Sequence, residues 1–395
     1  MIVTAVEAVD VRIPHPEPFE SCLFPGVANR AYEACVLRIE TDEGIVGVSS
    51  SRDRWWDDPD PYTADRPSLS RQLVETYVRR YLIGKDPLRI QEHMQQLVRG
   101  LRMFHGYPWF VELAFWDLLG KRTGLPLHRL LGGGKERIRA YASTATLYEP
   151  EEMKTRLPAL IGRGFTAIKL RAHRPDYRQD VVALEAAREA VGPSVRLMVD
   201  ANQSNMPAYG LVPGAIPSPA WDLHCALAFG RAIEPLDVTW LEDPLPGSDM
   251  EGLAELRRRI DVPIAGAETE VGAQRYRQLC QQGCFDIVQP DVAFSGGILE
   301  TWKIGAVAGS FGVQCVPHIW GTAHSVAANL QLAAALPNCN WMECPHDPPG
   351  YPLENRDTLL KEPLGPDRDG YVAIPEGPGL GVETDWDAVD RYRVT

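Results

Sequence analysis

From residue 137 onward the chain alternates short apolar runs with amphipathic helical stretches, and this leaves few folds open. The runs are 138–143, 167–171, 195–199, 238–241, 264–266, 287–288, 313–316 and 341–342, with helical periodicity between them, for example over 180–191 and 250–260. Alternation of this kind means parallel strands joined by helical crossovers. Eight such units predict a closed (β/α)8-type barrel, with room for one helix to be missing at an end. A doubly wound open sheet is the rival, and the polar residues decide between them.

Nearly every run ends in polar residues: Lys169 and Arg171, Asp200 and Asn202, Glu242 and Asp243, Glu268 and Glu270, Asp291, His318, and Glu343. In a parallel barrel the C-terminal ends of the strands form the rim where active sites lie. A two-residue step along a strand keeps 169 with 171, and 200 with 202, on one side. Three consecutive tips, Asp200, Glu242 and Glu268, bring three carboxylates to one place. Crowded like charges must protonate, find cations or share a metal. All-oxygen ligation favours Mg²⁺ over zinc, whereas pairing of each acid with a nearby Lys or Arg is the plain structural reading. Asp291 and His318 follow on the next strands, where the carboxylate can hold one ring nitrogen and raise the imidazole's basicity.

The first third reads differently. Residues 2–11, 34–40 and 44–49 form strands around a turn at 41–44, and residues 14–30, rich in Pro and aromatics, read as a long loop. Helical periodicity runs from 68 to 120, and 121–135 reads as a helix ending in a glycine-rich junction. The stretch 203–221 reads as an insertion. A net charge of −13 argues against a nucleic-acid or acidic-membrane surface. No apolar run reaches the roughly 18–20 residues of a membrane span, and the N-terminal stretch has no signal-peptide pattern. Eight scattered cysteines read as reduced thiols, with the cytoplasm the natural compartment.

The strings AIKLR, MVDANQ, WLEDP, IAGAE, QPDVAFSGG, VPHIW and WMECP, in this order, resemble the enolase superfamily and within it the mandelate-racemase-like subgroup. The resemblance covers essentially the whole chain. It implies an α/β fold: a modified (β/α)7β TIM-type barrel at 136–344, an α+β capping domain at 1–135, and a C-terminal segment at 345–395 returning to the cap. It implies one Mg²⁺ per active site on Asp200, Glu242 and Glu268, a His318–Asp291 dyad, and Glu343 near the substrate. Aspartate at 291, where other subgroups carry lysine, favours the set that includes acid-sugar dehydratases. The second strand of the family often reads Lys-x-Lys; here it is Lys169-Leu170-Arg171. Arginine stays protonated, so Arg171 suits holding a carboxylate or enolate charge better than removing a proton.

The expected chemistry is removal of the proton α to a carboxylate and loss of water from an aldonate or aldarate, giving a 2-keto-3-deoxy acid. His318 is the expected base, with Lys169 as an open alternative. Asn202, Arg171, Glu343, Trp55 and Trp320 are candidates for substrate contact, and Arg52, Arg54, His105 and His173 are weaker ones. The Trp55-Trp56 pair suits packing at a seam equally well. Residues 14–30 and 52–56 are the candidate closing loops. A racemase, epimerase or cycloisomerase of a hydroxy or amino acid uses the same machinery, and a decayed sugar-acid binding protein is the non-enzymatic alternative. Self-association is expected of such a barrel.

Overall fold

The structure, a computed structural model, describes residues 1–54, 67–101, 108–204 and 220–394. The N-terminal region is an antiparallel meander of β1 (Val3–Glu20), β2 (Ala28–Thr41) and β3 (Val46–Arg54). The turn between β2 and β3 closes where the Gly44 amide donates to the Thr41 carbonyl, and Gly44 has φ +74°. The stretch 14–30, read from sequence as a loop, is mostly strand, with only 21–27 left as the connection. Pro14, Pro16 and Pro18 cannot donate to a ladder, so pairing jumps from Pro14↔Ala31 to Phe19↔Asn29 on this edge strand.

The second region holds eight parallel strands: β4 (Arg137–Ser143), β5 (Ala167–Arg171), β6 (Arg196–Asp200), β7 (Val238–Glu242), β8 (Ile264–Gly266), β9 (Ile287–Val288), β10 (Gln314–Cys315) and β11 (Trp341–Pro345). They pair in the order β10-β9-β8-β7-β6-β5-β4-β11. A helix follows each of the first seven: Pro150–Gly162, Tyr177–Val191, Leu223–Ile233, Met250–Arg259, Ala273–Gln282, Ile298–Ser310 and Ala323–Ala335. The sheet is curled, and its seam is bridged by Cys315 N–H donating to the Asn338 carbonyl and by Ile319 N–H donating to the Glu343 carboxylate. Helix starts follow their capping residues: Asp176, Asp222 and Asp249 each accept a backbone N–H of the first turn, and Glu149 with Glu152 forms a capping box.

The strands are buried on both faces, as helix-covered parallel sheets require; every residue of β5 is buried. Inside the curl one layer takes one residue from each strand or its extension: Tyr141, Ala167, Met198, Trp240, Ala265, Ile287 and Val316, with Trp341 packed against them. Small and large side chains share the layer, and Tyr141 meets Trp240 edge-on at 5.3 Å. This layer is the floor of the site.

The helix Trp109–Thr123 is apolar nearly all round and lies under the meander, where Val48 N–H donates to Asp117 and Ser49 Oγ donates to the Phe110 carbonyl. It ends at Gly124, which is left-handed at φ +70°, so the helix expected over 121–135 is broken; only Leu127–Leu130 resumes it. A strand not anticipated, β12 (Tyr371–Ala373), pairs antiparallel with the start of β4. The chain then returns to β1, where Arg12 N–H donates to the Tyr392 carbonyl and Val394 N–H to that of Asp10. No helix among the described residues is long and apolar enough to cross a membrane.

Candidate active site

One step of two residues beyond the apolar layer, each strand turns polar on the same side: Ser143, Lys169, Asp200, Glu242, Gln289, His318 and Glu343. Strand β8 is the exception. Two residues beyond Ala265 stands Ala267, held at φ +77° after Gly266 at φ +152°, and this kink hands the place to Glu268. A non-glycine residue in that region costs on the order of 1–3 kcal/mol, a strain that here aims a carboxylate. A further two-residue step places Arg171, Asn202 and Asp291 above the first set.

The layer is a buried ionic network. Lys169 is fully buried; its Nζ donates to Glu242 and forms ion pairs with Glu343 Oε1 at 2.7 Å and Asp200 Oδ2 at 3.4 Å. Burial alone would lower its pKa, but Glu242, Glu343 and Asp200 outweigh it and raise it, so Lys169 is a permanent cation. Arg171 donates through Nη1 to Asp200 and to Asn202 Oδ1 at 3.1 Å, and through Nε to the Thr144 carbonyl at 2.7 Å. Burial opposes the charge of Glu343, yet Lys169 and His318 pull its carboxyl below the usual range. Glu242 goes the other way: burial and the charge of Asp200 push it up, even though Trp240 Nε1 (3.0 Å) and Gln289 Nε2 (2.9 Å) donate to it.

His318 faces this network. Its Nδ1 lies 3.0 Å from Asp291 Oδ2, and its Nε2 lies 3.2 Å from Glu268 Oε2 and 4.0 Å from Glu343 Oε2. Asn329 Nδ2 (2.9 Å) and Ala293 N–H (2.8 Å) hold the other Asp291 oxygen. Burial would lower the imidazole's pKa, but Glu268, Glu343 and Asp291 together push it up to about 10. The sequence-derived pairing of 291 with 318 is therefore present as a hydrogen-bonded pair.

Above lies a cavity of about 290 Å³. Arg171, Asn202, Glu268, His318 and Trp320 line its floor and wall, and Phe19, Cys22, Phe24, Asn29 and Arg52 line the side of the meander. Trp320 donates Nε1–H to Ser143 Oγ at 3.0 Å and stacks on Tyr351 at 5.5 Å. The 21–27 connection is pinned over the mouth by Cys22 N–H donating to the Ala145 carbonyl at 2.7 Å.

Other candidates are placed elsewhere. Glu270 pairs with Arg275 (2.7 Å), and Asp243 accepts from Ser204 and Ala267 N–H, so both brace loops. His173 is directed to the Cys22 carbonyl at 2.8 Å and, lowered to about 4 chiefly by burial, is neutral; it supports the 21–27 connection. Trp55, Trp56, His105 and the Arg54 side chain fall outside the described residues. Sequence reasoning missed Ser143, Gln289 and Asn29. The first two follow from the two-residue step, but no comparable rule marks Asn29.

As the side chains stand, no three His, Cys, Asp or Glu groups among the described residues are spaced around an ion. Arg171 holds Asp200, Lys169 holds Glu242, and His318 holds Glu268. The charges nevertheless suit a divalent cation. Among the described side chains of this site, Asp200, Glu242, Glu268, Asp291 and Glu343 face Lys169, Arg171 and, when protonated, His318, a surplus of acids over bases; Glu242 is displaced upward by burial first and by the charge of Asp200 next. Asp200 and Glu242 are Cα partners on adjacent strands, with Glu268 on the next, and all their donor atoms are oxygen, the chemistry of Mg²⁺ rather than zinc.

Residues 6–132 match the family described as mandelate racemase / muconate lactonizing enzyme, N-terminal domain, and residues 152–388 match the one described as enolase C-terminal domain-like. D-galactarolactone cycloisomerase of Agrobacterium fabrum is 30% identical over 380 residues, covering 91% of each chain. Arabinonate dehydratase of Saccharolobus solfataricus is 29% identical over 367 residues, covering 90% of this chain and 89% of its own. The structure of D-glucarate dehydratase from Agrobacterium tumefaciens complexed with magnesium superposes with TM-score 0.81 at 29% identity, covering 100% of both chains.

Proposed function

The chain belongs to the mandelate racemase/muconate lactonizing enzyme family of the enolase superfamily, and from that premise we propose that it is a magnesium-dependent sugar-acid dehydratase. It takes an aldonate or aldarate and releases water to give a 2-keto-3-deoxy acid. Asp200, Glu242 and Glu268 would hold the magnesium. When bound, the ion supplies positive charge where the substrate carboxylate gains electron density. Lys169 adds a fixed cation beneath the same point, a preorganised charge that needs no rearrangement during reaction.

With Glu268 committed to the ion, the charge that does most to hold a proton on the imidazole would be offset, and neutral His318 would then remove the α proton through Nε2, the nitrogen not committed to Asp291. Asp291 keeps the ring turned towards the cavity and stabilises the imidazolium that forms. That imidazolium then gives its proton to the departing β-hydroxyl, and the resulting enol tautomerises to the keto acid. Arg171 remains charged and orients the substrate carboxylate or hydroxyl, with Asn202 and Trp320 beside it. Glu343, held between Lys169 and the Ile319 amide, completes the floor. The observation that carries this reading is the His318–Asp291 pair set across one cavity from the acidic cluster.

A screen of five- and six-carbon aldonic and aldaric acids with Mg²⁺, read by keto-acid formation, is expected to find a substrate. The likeness to a cycloisomerase favours a second reading, ring opening or closure through the same proton abstraction. Proton NMR in D₂O separates the two: deuterium at the α carbon without keto acid would replace dehydration by isomerisation. All eight cysteines are free thiols, which supports a cytoplasmic setting. The net charge of −13 opposes nucleic-acid or acidic-membrane partners, and self-association is expected, checked by sedimentation.

A further inference from the structure

Asn29 sits at the start of β2, opposite Phe19, only 1% exposed, and it lines the cavity from the side away from the ionic network. Among the described residues, neither its carboxamide oxygen nor its nitrogen has a hydrogen-bond partner. Buried amides with nothing bound to either end are rare, and each calls for a reason such as strain, a functional role, or a water or ion. On this side of the cavity stand the apolar Phe19, Leu23 and Phe24 together with Ser21, Cys22 and Arg52, and none of them bonds the amide. The mouth below contrasts with this, since each of its charged side chains is engaged with another.

We propose that Asn29 is the residue that reads a distal hydroxyl of the substrate, at a carbon beyond the two that react. A carboxamide donates and accepts at once, and so does a hydroxyl; a carboxylate only accepts and would leave the amide oxygen without a donor. A hydroxyl-bearing carbon chain therefore runs from the acidic cluster towards β2. The cavity, at about 290 Å³, lies near the small end of ligand sites, roughly 300–1,000 Å³, which suits a five- or six-carbon acid. This assignment rests on the sugar-acid reading above and adds the part of the sugar that is recognised.

The test compares the wild type with Asn29→Leu and Asn29→Asp on the best acid from the screen and on its analogue lacking the distal hydroxyl. For Asn29→Leu, kcat/KM on the intact acid is expected to fall about 100-fold, carried mostly by KM, and to change less than about threefold on the deoxy analogue. Asn29→Asp, which keeps size but loses the donor, is expected to fall similarly. The melting temperature of ligand-free Asn29→Leu is expected at or above the wild-type value, because an unpaired buried amide has been removed. Unchanged kcat/KM on the intact acid, or equal losses on both compounds, overturns the assignment in favour of a water-filled or purely structural role. If the wild type dehydrates none of the acids, the catalytic reading falls, and the same acids are scored by thermal shift with Mg²⁺. A shift in the wild type that Asn29→Leu abolishes then upholds Asn29 as the sugar reader. An equal shift in both proteins, or none in either, overturns it.

Discussion

The two sides of the cavity are built on opposite principles. At the barrel mouth, charged groups are packed together and each holds another: Lys169 with Glu242 and Glu343, Arg171 with Asp200, His318 with Asp291. On the meander side apolar Phe19, Leu23 and Phe24 share the wall with Ser21, Cys22 and Arg52, and Asn29 offers an amide that nothing among the described residues engages. A network whose charges hold one another can be preorganised for chemistry without substrate, because most of its electrostatic cost is met within the fold and its surplus of acids suits one cation. A wall with open hydrogen-bonding capacity does little until a ligand arrives, which makes it the natural place to choose among ligands. The reacting end of the substrate and its variable end are thus handled by different parts of the chain.

This contrast can be broken most forcefully at His318. His318→Asn is expected to lower kcat about 1,000-fold while Mg²⁺ affinity, followed by calorimetry, stays within a few-fold of wild type. Turnover that survives would remove the imidazole from the chemistry. A weakened metal affinity would show that the mouth acts as one indivisible unit.

The seam between the two regions gives a second test, on stability. Glu112, in the helix under the meander, accepts from the Leu299 amide at the start of Ile298–Ser310 and from Trp116 Nε1. Burial pushes its carboxyl up to about 7 from an ordinary 4.5, against the pull of those two donors. A folded-state value above the unfolded one means the contribution is complete below pH about 4.5 and lost as pH rises towards 7. Glu112→Gln keeps an acceptor oxygen and does not titrate. Its stability relative to wild type should therefore rise by on the order of 3 kcal/mol between pH 4.5 and pH 8, measured by urea unfolding. A difference that stays flat with pH would mean the carboxyl titrates normally.

The smallest expected effect lies where the two sides meet. Trp320→Phe removes the bond to Ser143 Oγ but keeps a ring against Tyr351, and KM should rise by about threefold to tenfold with little change in kcat. A drop in kcat instead would place Trp320 in the machinery of the mouth.

What was legible in the sequence follows the same division. The strands of the barrel announce themselves by apolar runs, and a two-residue step from each run finds Lys169, Asp200, Glu242, His318 and Glu343 without any coordinates. Glu268 obeys a different count because Ala267 turns out of the strand at positive φ, a backbone event that side-chain pattern does not encode. Ser143 and Gln289 obey the step but carry no charge to draw notice. On the meander side no periodicity points at function. Prolines at 14, 16 and 18 suggested a loop where the chain pairs around a long bulge, and Asn29 owes its position to that register jump. The break after Thr123 was written in Gly124 and Pro126, yet the apolar spacing of 127–131 concealed it.

The central claim is that Asp200, Glu242 and Glu268 share one divalent ion opposite His318. An anomalous difference map from crystals grown with Mn²⁺, an ion that takes the same oxygen ligands, tests it directly. One peak per chain within about 2.0–2.3 Å of an oxygen of each of the three carboxylates is the expected result. Peaks only at other positions, or none at a concentration that saturates binding in solution, would contradict it.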